Sequence, residues 1–201
     1  MTVIDTGLAW AYPLTERVLT DTVVLHHAAA NGSVEAVHQS HVARGWAGIA
    51  YHYYVRKDGS VYRGRPEWAV GGHTSGHNWH TLGICFEGNF ETETMSEAQL
   101  NAGRELIADI IARWGDLVVE GHRDLGSTAC PGKNFPLGDM LKKEDEPVVY
   151  ATLDDVPEYY RATIEKLIAL GALKGVGGDE IQVDETYCRV MTTLDRLGMI
   201  K

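Results

Sequence analysis

His26, His122 and Cys130 are the side chains of this chain best suited to hold a metal ion. Imidazole and thiolate suit a borderline-soft cation. A Zn²⁺ site in an enzyme usually takes three protein ligands and keeps a fourth position open for water. The ion lowers the pKa of that water to about 7, which makes a nucleophile at neutral pH. Taken singly, each residue reads better as an ordinary buried side chain, and spacing alone does not bring His26 to the other two. Three cysteines, Cys85, Cys130 and Cys188, cannot build a disulfide framework. Cys188 falls within an apolar helical stripe and reads as a small core residue.

The elements that would gather the three ligands are legible. Thr22–His27 is a continuous β-branched run of the kind a buried central strand shows, and it ends on His26 and His27. Residues 117–119 form another strand, which delivers Gly121-His122 at its C-terminal end. From there to Gly132 the chain is a polar, Gly-bounded loop able to fold back and set the Cys130 thiolate beside an imidazole. Ser33 is placed to cap a helix with Val34, Val37, His41 and Val42 on one face. Residues 51–56 and 61–63 read as a hairpin around Asp58-Gly59, and residues 82–87 as a further strand. Ser96 and Gln99 make a capping box, with Met95 and Leu100 as its staple. The stripe Leu100, Ile107, Ile110, Ile111 and Trp114 then runs to Gly115. These elements predict an α/β fold with a central mixed β-sheet flanked by helices, plus a small C-terminal helical unit.

At 201 residues, 44% apolar and 23% charged, the chain is long enough for one ordinary domain and a small second one. Its composition is that of a globular protein. No run reaches the ~18 apolar residues a membrane helix needs, and the N-terminus lacks a basic region followed by an apolar one, so no signal peptide is expected. A formal net charge of −10 argues against nucleic acid as a partner. Lys142–Pro147 contains no apolar residue before its proline and reads as a linker. It divides the chain into residues 1–143 and a more acidic 144–201. Ile164, Leu167, Ile168 and Leu173 mark one tail helix, and Tyr187, Val190, Met191, Leu194 and Leu197 another. Two helices make a marginal core, so the tail is expected to lean on the first domain or to form a homodimer through these helices.

Several segments in order carry a resemblance: Val24-Leu25-His26-His27, Gly45 to Tyr53, Lys57 to Arg65, Gly72-His73-Thr74-Ser75-Gly76-His77-Asn78, Leu82-Gly83-Ile84, and Gly121-His122-Arg123-Asp124 through Cys130-Pro131-Gly132. The chain resembles the type 2 N-acetylmuramoyl-L-alanine amidases, which include phage lysozyme-type amidases and peptidoglycan recognition proteins. The resemblance runs from about Thr22 to Gly132. It implies a Zn²⁺ amidase that cuts the bond between N-acetylmuramic acid and L-alanine of peptidoglycan, with His26, His122 and Cys130 as zinc ligands. Tyr51 matches the family's catalytic tyrosine, and Thr128 the position where some members carry lysine and recognition proteins threonine. A glutamate found in some members of the superfamily is replaced here by Cys85, and Glu87 is the weak substitute two residues on. Neutral hydroxyls on Tyr51 and Thr128 could donate to a tetrahedral oxyanion, and Tyr51 through a water, or His27, could protonate the leaving amine.

Other residues keep two readings each. His27 should face the opposite side of its strand from His26, as a core histidine or a substrate contact. His73 and Asn78 match family positions near the substrate groove. His73, His77 and His80 form a loop cluster that either lines a groove or makes a second metal site. Trp46, Trp68 and Trp79 either stack on sugar rings or pack loop bases, while His38 and His41 read as structural. Residues 153–175 are weakly similar to one surface-layer-homology repeat, which would anchor the chain on wall polymer or mediate a dimer. The alternative is a helical hairpin covering the first domain. The leading function is therefore a zinc amidase made in the cytoplasm without a signal peptide and acting on the cell wall, as a phage or prophage endolysin does. The alternatives are a cytoplasmic amidase recycling muropeptides and a recognition module that binds peptidoglycan without cutting it.

Overall fold

The structure, a computed structural model, describes residues 2–142, 149–173 and 180–200. Most of the expected linker, residues 143–148, and the end of the repeat-like segment at Lys174-Gly175 lie outside the described residues. The chain divides into two compact units, Met1–Leu141 and Lys142–Lys201.

In the first unit, β1 (Val3–Ile4), β2 (Thr22–His27), β3 (Tyr53–Val55), β4 (Val61–Arg63), β5 (Thr81–Phe86) and β6 (Val118–Gly121) form one sheet, in the order β1-β4-β3-β5-β2-β6. The hairpin β3–β4 is antiparallel and every other neighbouring pair is parallel. This is the mixed sheet that the strand patterns imply. All six residues of β2 and of β5 are buried, because parallel central strands are covered on both faces. Alternation sorts them. Val23, Leu25, Leu82, Ile84 and Phe86 join the core that includes Leu106, Ile107 and Ile110 of α2 (Glu97–Trp114). Cys85 lies on the other face with Val34, the first residue of α1 (Val34–Ala43), and with Ile49 and Tyr54.

Both long helices begin where side-chain oxygens can accept from orphan amides. Ser33 Oγ accepts from Ala36 N at 3.3 Å and Ser96 Oγ from Gln99 N at 3.2 Å. The expected capping box at α2 is only half formed. Gln99 is fully buried, and its Nε2 donates to the carbonyls of Val55 and Glu87, at 3.0 Å each, instead of reaching back. Short helices α3 (His122–Leu125) and α4 (Leu137–Met140) complete the unit.

The second unit contains both expected helices, α5 (Glu158–Ala169) and α6 (Glu185–Arg196). It also contains two strands that the sequence reading did not include, β7 (Val149–Thr152) and β8 (Glu180–Asp184), paired antiparallel. Tyr150 and Val183 from these strands share a core with Ile164, Leu167 and Cys188. β8 reads Glu-Ile-Gln-Val-Asp, a strict alternation that buries Ile181 and Val183, but at four and five residues both strands are short beside the apolar helices of the tail. No described helix is long and apolar enough to cross a membrane.

Candidate metal centre and groove

His26 is the next-to-last residue of β2, and His122 directly follows β6, the strand beside it. Parallel pairing therefore delivers both imidazoles to the same carboxyl end of the sheet, where open α/β sheets bind ligands. Cys130 returns along the loop after α3. One ligand atom from each of His26, His122 and Cys130 lies within 4.8 Å of the others, and His26 Nδ1 stands 3.7 Å from Cys130 Sγ. Nitrogen and sulfur ligands around a tetrahedral zinc are about 3.5 Å apart, so the described geometry is close to a binding one. No other group of three or more such side chains gathers among the described residues.

The far side of His26 is held as well. Its Nε2 lies 3.0 Å from His73 Nδ1 and 3.4 Å from Thr74 Oγ1, which leaves Nδ1 to face the thiol. Second partners of this kind fix the orientation of a ligating imidazole. Burial, reinforced by His122, pushes His26 well below the usual histidine range, so it is neutral and able to ligate. His122 is lowered by burial too. Without an ion, burial raises the Cys130 thiol to about 11, which only a cation in the site would reverse.

His73 is buried rather than lining an open groove, and Asn78 Oδ1 accepts from the backbone amides of His73 and Thr74, at 2.7 and 2.9 Å. Both therefore order the support behind His26. Gly83 leaves room for this arrangement, since a Cβ there would stand 2.5 Å from the His73 ring. His77 and His80 lie 3.3 Å apart through Nδ1 and Nε2, with His80 on Asp21 at 2.6 Å. His27 faces the opposite side of the strand from His26. Its Nδ1 accepts from Phe90 N at 3.1 Å and its ring stacks on Phe90, as the core reading of that residue has it.

Tyr51 meets the site from the side, its ring centroid 5.1 Å from that of His26. Burial, with Cys85 and Cys130 nearby, raises its phenol well above the ordinary range, so it stays a protonated donor. Cys85 pairs in register with His26, and burial keeps its thiol protonated. Thr128 is exposed, and its Oγ1 accepts from Cys130 N at 3.2 Å. Trp46 is half-exposed and packs its ring 4.8 Å from His41. Glu87 is committed elsewhere. Burial alone would raise its pKa, but Arg56 and the amides of Gly32 and Lys57 hold it low, which argues against a general base. The sequence reading missed His52, buried with Nδ1 accepting from Gly83 N and Nε2 2.9 Å from Ala69 O. Only its tertiary surroundings distinguish it from any strand histidine.

A cluster of two neutral imidazoles and a thiol beside a protonated phenol can bind a borderline-soft cation and polarise an acyl group. The family described as N-acetylmuramoyl-L-alanine amidase matches residues 16–133. Peptidoglycan-recognition protein SC2 of Drosophila melanogaster is 36% identical over 127 residues, 56% of this chain and 68% of that protein. The endolysin of Escherichia phage T7 is 30% identical over 125 residues, 58% of this chain and 83% of the endolysin. Among solved structures, N-acetylmuramoyl-L-alanine amidase LysC from Clostridium intestinale superposes with a TM-score of 0.68 at 36% identity, covering 70% of this chain and 95% of that one.

Proposed function

This chain belongs to the N-acetylmuramoyl-L-alanine amidase family, and we propose that it hydrolyses the amide between N-acetylmuramic acid and L-alanine of peptidoglycan as a zinc enzyme. The observation that carries this reading is the convergence of His26, His122 and Cys130 at one end of the sheet, with Tyr51 beside them. His26, His122 and Cys130 would hold the ion, a donor set that matches a borderline-soft cation with one position left open. When bound, zinc supplies a Lewis acid that activates water and the scissile carbonyl at neutral pH.

The rest of the chemistry falls to the chain. His73 and Thr74 keep His26 turned to the cluster. Tyr51, protonated and beside His26, donates a hydrogen bond to the oxygen of the carbonyl under attack, where charge develops. Thr128 lies on the open side of the loop and offers a second hydroxyl. A threonine brings no charge where other members of the family carry lysine, so more of the oxyanion stabilisation rests on Tyr51. Glu87, the one buried carboxylate among the described residues, is held by Arg56 and the amides of Gly32 and Lys57 and is given no general-base role.

The role we favour in biology is that of a phage or prophage endolysin acting on the bacterial wall, and we assign wall binding to the second unit. Likeness to an endolysin over 83% of that protein's length supports the first assignment. The test is zinc content measured beside cleavage of purified walls, with released fragments identified by mass spectrometry. One zinc per chain and new L-alanine amino termini are expected. Wall binding without new amino termini would make the protein a recognition module and remove Tyr51 from its role.

A further inference from the structure

His77 and His80 stand apart from the cluster of His26, His122 and Cys130, at the opposite end of the sheet. β2 and β5 run parallel with Thr22 opposite Thr81, so the residues just before them, Asp21 and His80, are set side by side. The Asp21 amide donates to the His80 carbonyl at 3.1 Å. His26 lies four residues along β2 from Thr22, roughly 13 Å away at the rise of a parallel strand. A site at this end is therefore separate from the candidate metal centre.

Two successive turns ahead of β5 bring these imidazoles together. His77 N donates to the Thr74 carbonyl at 3.0 Å and His80 N to the His77 carbonyl at 3.3 Å. His77 Nδ1 and His80 Nε2 then face each other at 3.3 Å. Two nitrogens bound to a tetrahedral zinc at about 2.0–2.1 Å each stand about 3.3 Å from one another. The outer nitrogen of His80, Nδ1, lies 2.6 Å from Asp21 Oδ1, and Thr22 Oγ1 donates to the same oxygen at 2.8 Å. A carboxylate on the outer nitrogen is the usual companion of a ligating imidazole, because it fixes the tautomer and makes the inner nitrogen more basic. With its proton on Nδ1, His80 presents the Nε2 lone pair to His77. Trp79 packs its ring 4.4 Å from that of His80, and both histidines are part-exposed, open to an ion from solvent.

We propose that His77 and His80 form a second site for a zinc-like divalent cation, with Asp21 as the outer partner of His80, and that the ion braces the loop behind His26. Two imidazoles select the borderline-soft late first-row cations over calcium or magnesium, which prefer oxygen. With two protein ligands this site binds more weakly than a three-ligand centre. The zinc that survives buffer exchange therefore stays at one per chain, and the second ion is taken up from added metal. On binding, His77 carries its proton on Nε2, a tautomer that leaves Nδ1 to the ion. The brace follows from the contacts of the loop. Asn78, between the two histidines, accepts from the amides of His73 and Thr74 at 2.7 and 2.9 Å, and those two residues meet His26 Nε2. An ion that ties residue 77 to residue 80 removes freedom from the segment that orients His26.

The test counts zinc taken up by the full-length protein in equilibrium dialysis against added zinc chloride, for the wild type, His77→Gln, His80→Gln and Asp21→Asn. Each histidine variant should bind one zinc fewer than the wild type. Asp21→Asn keeps both ligands and should bind the second ion about 10–100-fold more weakly, the range for a disturbed outer partner. Equal uptake by the wild type and the histidine variants would overturn the site and leave only a hydrogen bond between the rings; unchanged affinity in Asp21→Asn would remove the carboxylate from it. Hydrogen exchange reads the brace. In protein already holding its retained zinc, added zinc should slow exchange of the His73 and Thr74 amides in the wild type and leave it unchanged in His80→Gln. No slowing in the wild type, or slowing that persists in His80→Gln, would overturn the brace.

Discussion

Cys130 and Tyr51 stand on the same rim of the site, yet their substitutions should fail differently. The Cys130 thiol is half-buried at 3.7 Å from His26 Nδ1, and soft thiolate ligation is what an oxygen in its place supplies poorly. Cys130→Ser should therefore lose both stoichiometric zinc and cleavage while the fold stays intact by circular dichroism. Retained cleavage would remove the metal assignment. Tyr51 offers no ligand to the cluster, only a protonated hydroxyl beside it. Tyr51→Phe should keep the zinc and lose roughly 10²–10³ in kcat, the cost of one oxyanion donor. Unchanged turnover would take Tyr51 out of the mechanism. Of these residues, His26, His122 and Cys130 stand out in the chain by type and by their place at strand ends, and Tyr51 only through the family resemblance; the fold brings the four together. Nothing in sequence tells a histidine at a surface from one packed behind another, so the place of His73 behind His26 is visible only in the fold.

At the scale of elements, strand pairing does the positioning. β2 lies between β5 and β6 in parallel register, which fixes His26 beside Cys85 and close to the start of α3. β5 carries a second requirement at Gly83, against which the His73 ring packs. A methyl there would sit at 2.5 Å from that ring, so Gly83→Ala must displace His73 and loosen its contact with His26. The expected outcome is a loss of zinc affinity on the order of 10–100-fold, the range for disturbed outer partners of a metal ligand, read by competition with a chromogenic chelator. Unaltered affinity would show that His73 does not hold His26. The glycine was visible in the sequence only as a member of a strand, since the ring that fills its place comes from a loop distant in pairing.

For the whole molecule, buried neutral histidines tie stability to pH. Burial holds His52 at about 3 and His41 at about 4, against an ordinary value of about 6.5. Below that value the unfolded chain takes up protons that the folded chain refuses, so stability falls as pH drops from about 6.5 toward 4, and His52 extends the loss to about 3. Glu67, held at about 2 mainly by Arg113 and Tyr53 against its burial, adds a loss in the same direction below its ordinary range. The Tm measured by calorimetry should decline steadily from pH 7 to pH 4; a flat Tm over that interval would contradict the burial of these groups as neutral species. The two units, each with its own apolar cluster, should be separable in function. Removing residues 147–201 should weaken binding to intact walls more than cleavage of small muropeptides. Equal loss on both would make the tail a structural cover.

The sequence by itself determined most of the periodic elements and pointed to the side chains able to hold a metal. The continuous run of β2, the serines that cap α1 and α2, and the stripe of α2 are local signals, set by propensity and alternation within a few residues. His26, His122 and Cys130 were identifiable by type and by their place at predicted strand ends. Tertiary structure alone decided what those residues touch: that β2 and β6 are neighbours, that Gln99 spends its amide on two carbonyls, and that Glu87 is locked by Arg56. The reason is physical. A side chain's partner is chosen by packing between segments far apart in sequence, and a single chain's pattern carries that information only where one face must be buried.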